Sequence, residues 1–355
     1  MSDNDITWKQ SNNSEQNKQT ATCPQGALAP SRSKIFPHPP LLPLLLFILA
    51  LAAQNVPAQE QAAQELTAGG KNFQFSLGAS LGLLHGQGVE VVYKALGSDN
   101  LLSELLWDIK PIGYAGLNAA LAWQKPEAKW GFFAAAAIKF GFLGKTGIMQ
   151  DSDWLEYDYP DWLIYYSAHD NITMRAMLLD ANFGMSYRLS QSMVLKMSLE
   201  YHFMHFAWTA LGGSFVYPQS NGGHMYFEEP IESCRYRQMW HIIAPMFAFY
   251  GKFNPYFDIT LSFAITPLII ADNIDNHLLR DMDIVFLMFG GLFVEPKLEF
   301  AWTPKDFLSL SFSTSYRYVK AARGIGYKEA GSSVGASYHA FDVALTAQYR
   351  VNWAR

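Results

Sequence analysis

The sequence predicts an all-β fold, a ten-stranded antiparallel transmembrane β-barrel with long extracellular loops, on three observations. The first is alternation. From Phe341 to Trp353 the odd positions read Phe341, Val343, Leu345, Ala347, Tyr349, Val351 and Trp353, and the even ones Asp342, Ala344, Thr346, Gln348, Arg350 and Asn352. A strand sends successive side chains to opposite faces, so this segment shows one face to grease and the other to water. The second is recurrence. Phe73, Phe75, Leu77, Ala79, Leu81 and Leu83 alternate with Gln74, Ser76, Gly78, Ser80 and Gly82, and Leu308, Leu310, Phe312, Tyr316 and Tyr318 alternate with a run of serines. The third is composition: 50% hydrophobic and 15% aromatic residues, with no long apolar run after the leader, fit a barrel better than membrane helices.

Residues 1–58 read as a leader and signal peptide that is removed, and 59–355 as the barrel. Positions 1–34 are polar, rich in Asn, Gln and Ser, with Lys9, Lys18, Arg32 and Lys34 as their basic residues, and hold nothing that could pack a core. The apolar block from Leu41 to Ala53, LLPLLLFILALAA, fits a signal hydrophobic region with cleavage near Ala53 or Ala58, and is too short to span a bilayer as a helix. Cys23 leaves with the leader and Cys234 then has no partner, so no disulfide framework is available.

Connections in the remainder alternate short and long. The short ones carry turn chemistry: Gln124 to Lys129 with Pro126, Arg188 to Ser192, Lys252 to Pro255, and Thr303 to Asp306. The long ones run from about Gly97 to Leu101, Met149 to Ile172, Pro218 to Ser233, Ala271 to Asp281, and Ala321 to Gly335. Nine connections join ten strands, with short periplasmic turns, long extracellular loops and both termini inside. Several strand segments, Leu102 to Trp123 among them, exceed the roughly 9 to 11 residues that a tilted strand needs to cross, so the barrel should project above the membrane. Trp123, Trp130, Tyr187, Trp302 and Trp353 lie near the short turns, where an aromatic girdle belongs.

Chemistry concentrates in three pairs. Asp151 and Asp153, in MQDSDWLEYD at the end of the third strand, are two apart, so in extended backbone both carboxylates face one side. Asp275 and His277, in ADNIDNHLLRD at the end of the seventh, have the same spacing and lie roughly across the mouth. A carboxylate beside an imidazole orients it and raises its basicity, and a second carboxylate cluster across a cleft can hold a water between them. Ser167 and His169 descend on the fourth strand beside the first pair. Metal binding is the main rival use of such residues, but the local cluster lacks the His spacing of a zinc site. No metal, cofactor or nucleic-acid partner is expected.

These residues resemble those of the omptins, ten-stranded outer-membrane endopeptidases of Gram-negative bacteria. DSDW at Asp151 to Trp154 resembles the family's paired aspartates, SAH at Ser167 to His169 its S-x-H element, and DNH at Asp275 to His277 its D-x-H. HGQGVEVVY resembles the first-strand segment whose acid, here Glu90, lies at the base of the substrate pocket. The resemblance implies a protease in the outer membrane, its site facing outside, that cleaves peptide or protein substrates beside basic residues. Asp275 would orient His277, His277 with Asp151 would polarise the attacking water, and Asp153 would position substrate or stabilise the intermediate. Glu90 would take the substrate's cation, with Ser167 and His169 supporting. Two departures stand out. The family's second pocket acid falls at Asn273, with Asp272 one step off as the nearest substitute. Its lipopolysaccharide-binding places on the fifth strand keep Tyr201 but put Phe203 and His205 where an acid and a base belong, and Met239 stands for a sixth-strand Arg. Binding of that lipid is therefore doubtful, while contact with outer-membrane lipid is expected. The alternative is a non-enzymatic adhesin or structural barrel of the same fold; ten-stranded lumens are narrow and filled, which weighs against a channel.

Overall fold

A computed structural model describes residues 73–94, 99–125, 127–154, 162–218, 225–226, 231–321, 323–326 and 333–353. The leader, 1–58, lies outside the described residues. Ten strands close into a barrel: Phe73–Tyr93, Leu101–Trp123, a third in two segments (Trp130–Gly141 and Gly144–Trp154), Leu163–Arg188, Met193–Val216, Glu232–Lys252, a seventh in two segments (Phe257–Thr266 and Ile269–His277), an eighth in two (Met282–Phe289 and Gly291–Lys305), a ninth in two (Leu308–Ala321 and Gly324–Gly326), and Ser333–Trp353. Each pairs antiparallel with its sequence neighbours. The tenth pairs with the first, from Phe73 opposite Trp353 to Tyr93 opposite Ser333. Closure matters because an unpaired edge would leave backbone groups facing lipid with nothing to bond.

The alternation sorts as the sequence predicts. Leu77, Leu81, Leu117, Phe183, Leu199, Phe247 and Leu345 point outward and are exposed, while Ser76, Ser80, Ser198 and Ala344 are buried in the lumen. At the short-turn end Trp123 stacks on Phe132, Trp130 meets Tyr187 and Trp302 stacks on Phe257, which makes the girdle. The outward apolar band ends near Leu83, Phe142, Ile270 and Phe341. Beyond it outward positions become charged, with Lys110 and Lys145 exposed and Asp170, Arg237 and Asp272 half-buried. The upper barrel therefore stands in water.

The turns between the second and third and the fourth and fifth strands fall where the sequence places them. Asn254 fixes the next, its Oδ1 accepting the Tyr256 and Phe257 amides at 2.8 and 3.0 Å. The fourth moves on by a few residues, because the eighth strand continues to Lys305 and the ninth begins at Leu308. The larger correction concerns two long loops. Met149 to Ile172 is mostly strand, with the third running to Trp154 and the fourth starting at Leu163, and Ala271 to Asp281 is strand as far as His277.

Two layers of side chains cross the middle and upper lumen. In the membrane half Arg317 donates to Glu295 at 3.0 and 3.1 Å and to Asp180 at 3.1 Å, His202 pairs with Asp180 at 2.7 Å, and the Tyr114 hydroxyl donates to Asp342 at 2.6 Å. Lys139 also pairs with Asp342. Above them Trp107, Tyr236, Trp208 and Phe206 form a continuous stack of rings, with centroids 5.4 to 6.0 Å apart, on which Tyr338 closes at 5.2 Å.

Candidate active site

The site is built on the strands' upper ends, over this aromatic floor. Its first wall is the third strand, which must bend to reach it. Gly147 sits at φ +109°, and a Cβ there would lie 2.6 Å from the Asp108 Cβ, so glycine is required on both counts. Asp108 secures the bulge by accepting the Ile148 amide at 3.1 Å, while its own carbonyl accepts from Asn171 at 2.7 Å. Past the bulge Asp151 lies opposite Ser167 and Asp153 opposite Tyr165 on the fourth strand, with Leu105 and Ser103 opposite them on the second.

The facing wall pairs the seventh strand with the sixth, Asp275 opposite Tyr236 and His277 opposite Cys234. Asp275 is 1% exposed and its Oδ2 holds His277 Nε2 at 2.6 Å. Its other oxygen accepts the Cys234 thiol at 2.9 Å. The structure thus brings Asp275 and His277 together as a dyad and sets them opposite Asp151, near enough that the charges of His277 and Asp275 both act on the Asp151 carboxyl. His277 ends a strand with its ring mostly covered rather than standing on an exposed loop.

Electrostatics here are those of a crowded, partly dry site above the membrane. Burial pushes Asp151 up to about 7, helped by the charges of Asp153 and Asp275 and opposed by His277 and Arg280. Burial also raises Asp153, against the Ser103 hydroxyl and Arg280. For His277 burial disfavours the cation, but the hydrogen bond and charge of Asp275, with the charge of Asp151, win and raise it. Glu90, on the first strand opposite Leu105, is buried, and among the described residues neither carboxylate oxygen has a hydrogen-bond partner. Burial, then Asp275 and Asp151, hold its carboxyl well above the usual range. An acid so placed favours a cation that can be brought to it.

Ser167 and His169 form a second pair, His169 Nε2 2.9 Å from Ser167 Oγ and Nδ1 on the Gly212 carbonyl. Burial lowers His169, against that carbonyl bond, and with Nδ1–H donating to the Gly212 carbonyl the Nε2 of a neutral ring is placed to accept from Ser167. Asn273 is buried, donating to the Tyr236 hydroxyl at 2.8 Å, and its Oδ1 has no partner among the described residues. Asp272 does not join the site. It is an odd number of residues from Asp275, so it points out of the barrel, 4.0 Å from Arg237. On the barrel exterior the Tyr201 hydroxyl meets His241 Nδ1 at 2.8 Å, Phe203 packs on His205 and His241, and Met239 lies opposite His205. The charges of Arg175 and Arg237 also bear on His205, so this face is less bare of positive charge than the fifth strand alone suggests. Cys234 and the Tyr236 ring are the site neighbours that the sequence did not flag. Their signal was the alternation of Cys234, Tyr236, Gln238 and Trp240 on one strand face.

A family model described as the Omptin family matches residues 71–351. The plasminogen activator of Yersinia pestis is 25% identical over 211 residues, which cover 59% of this chain and 64% of that protein, just under two thirds of its length. The crystal structure of outer membrane protease OmpT from Escherichia coli shares the fold, at TM-score 0.63 and 18% identity over 79% of this chain and 97% of that one. The family match runs from just before the first strand to within two residues of the end of the tenth and takes in both walls of the site; the chain belongs to the omptin family.

Proposed function

We propose that this protein is an outer-membrane endopeptidase that hydrolyses peptide bonds beside basic residues, at the mouth of the barrel that faces outside. The observation that carries the reading is the buried Asp275–His277 contact of 2.6 Å set against Asp151. With Nε2–H committed to Asp275, Nδ1 of the neutral ring accepts a proton from a water held toward Asp151. The oxygen of that water attacks the peptide carbonyl, and the imidazolium returns its proton to the leaving amine. Asp153 stands beside Asp151 on the substrate's path. Ser167, opposite Asp151, and His169 behind it support that wall.

Glu90 is the proposed cation pocket. Its oxygens have no hydrogen-bond partner among the described residues. Its charge acts on Tyr236, one of the stacked rings, so a guanidinium or ammonium brought there gains an ion pair beside aromatic surface. Asn273 supplies a neutral amide where a second acid would stand, so a single cationic side chain is the fitting occupant. The test is digestion of a peptide library by refolded protein, with cut sites read by mass spectrometry. Cuts should carry Arg or Lys at one flank, and Glu90→Gln should erase that preference. Absence of cleavage, or cuts with no basic flank, would refute the proposal.

A further inference from the structure

One contact at the site has no part in the proposed reaction as written. The Cys234 thiol donates to Asp275 Oδ1 at 2.9 Å, while His277 Nε2 holds Oδ2 at 2.6 Å. Strand register puts the thiol there, since Cys234 lies directly opposite His277 and two residues from Tyr236, which lies opposite Asp275. Asp275 is therefore held from both sides. It and Cys234 are both buried, and a buried carboxylate must take its hydrogen bonds from the protein. Among the described residues these two are its side-chain partners.

We infer that Cys234 is a positioning residue for hydrolysis, its thiol fixing the Asp275 carboxylate in the rotation that aims His277 toward Asp151. The effect on rate rests on the proposed peptidase reading; the contact does not. Rotation is the first part of the argument. The terminal torsion of an aspartate is broad and roughly twofold, so a single bond to His277 leaves the carboxylate free to swing and to carry the ring with it. A second bond, on the other oxygen, pins it. A general base turned away from its water loses rate steeply, because the reacting atoms must already be aligned. Charge is the second part. Burial, then the charge and hydrogen bond of Asp275, hold the Cys234 thiol well above its ordinary value, so it stays S–H and remains a donor through neutral pH. A donor on Oδ1 draws charge away from Oδ2. Without it Oδ2 holds the imidazolium proton harder, and the ring becomes neutral only at higher pH.

The test uses the refolded chain carrying Cys23→Ser, so that Cys234 is its sole thiol. Cys234→Ala should lower kcat on the order of tenfold, the size of one hydrogen bond to a charged group. It should leave KM unchanged and move the acid limb of the pH–rate profile to higher pH. Cys234→Ser keeps a donor, and should recover most of the rate and bring the limb back. A full rate in the Ala variant, a loss carried by KM, a limb that does not move, or a Ser variant as slow as Ala overturns the role. The infrared S–H stretch of Cys234 reads the contact without any substrate, in a spectral window that other protein groups leave clear. It should lie below the position of an unbonded thiol and move up in Asp275→Asn. A band at the unbonded position, or one indifferent to Asp275→Asn, overturns the contact and with it the role, and this reading decides alone should Cys234→Ala not fold. A parent chain that cleaves no peptide refutes the peptidase reading, while the infrared band still decides the contact.

Discussion

Replacing Asp151 by Asn keeps the side chain's shape and removes its charge, and the structure sets the size of the response. A carboxyl moved from its ordinary 3.8 to about 7 by burial and by Asp153 binds its proton more tightly in the folded state by about 4 kcal/mol, at 1.36 kcal/mol per pH unit. The sign follows from linkage. Because the folded value is the higher one, the stability tied to the protonated group is full below about 3.8, falls as pH rises, and is gone above about 7. Wild type therefore bears the cost of a buried anion at alkaline pH and Asp151→Asn does not. The two proteins should melt alike near pH 3.5. At pH 9 the variant should melt higher by on the order of 10 °C, at a few degrees per kcal/mol for a chain of this size. Circular dichroism of detergent-refolded barrels across that range measures it. The same variant should lose peptide cleavage at every pH. A melting difference that does not change with pH would refute the assignment of Asp151 as a buried acid held near neutrality.

The proposed base gives a second outcome. His277→Ala should lower turnover on the order of a hundredfold or more. In the wild type the rate should rise as pH passes upward through the raised His277 value, since only the neutral ring accepts a proton; a flat profile, or equal cleavage by the variant, removes the histidine from the mechanism. Arg317→Ala leaves Glu295 and Asp180 buried without their cation and should cost about 3–5 kcal/mol of stability, read as a lower melting point with the peptide-cut pattern unchanged. Because Phe203 and His205 stand where the lipid-binding charges belong, cleavage in lipopolysaccharide-free detergent should match cleavage with the lipid added. A preparation inert until lipid is supplied would assign that binding to Arg175 and Arg237.

The barrel was legible wherever one face meets lipid, because grease against water writes a period of two into the sequence. Phe341 to Trp353 shows it at full strength. The same rule explains why the upper ends look like loops in the sequence. Around Asp151 to Asp153 and Asp275 to His277 the outer face stands in water and the inner face is a polar cleft, so both faces are polar and the alternation vanishes while the strand continues. The pairs Asp151/Asp153 and Asp275/His277 were still found, since residues two apart share a face whether or not the segment is recognised as strand. By the same parity Asp272, three positions from Asp275, falls on the opposite face, beside Arg237. The Cys234–Asp275 contact was hidden because it spans 41 positions of sequence, and register across strands is not written in local spacing.

The packed lumen has a consequence for traffic. The Arg317, Glu295, Asp180 and His202 network, capped by the Trp107–Tyr236–Trp208 rings, leaves the mouth a dead end. A polypeptide cannot be threaded from one side of the barrel to the other and clipped in passing. Under the proposed peptidase function, a substrate must dip a slack loop or a free tail into the bowl and withdraw both halves the way they came. The proposed cleavage would then return both products to the side that supplied the substrate, and a tightly folded protein with no such slack would be excluded by shape.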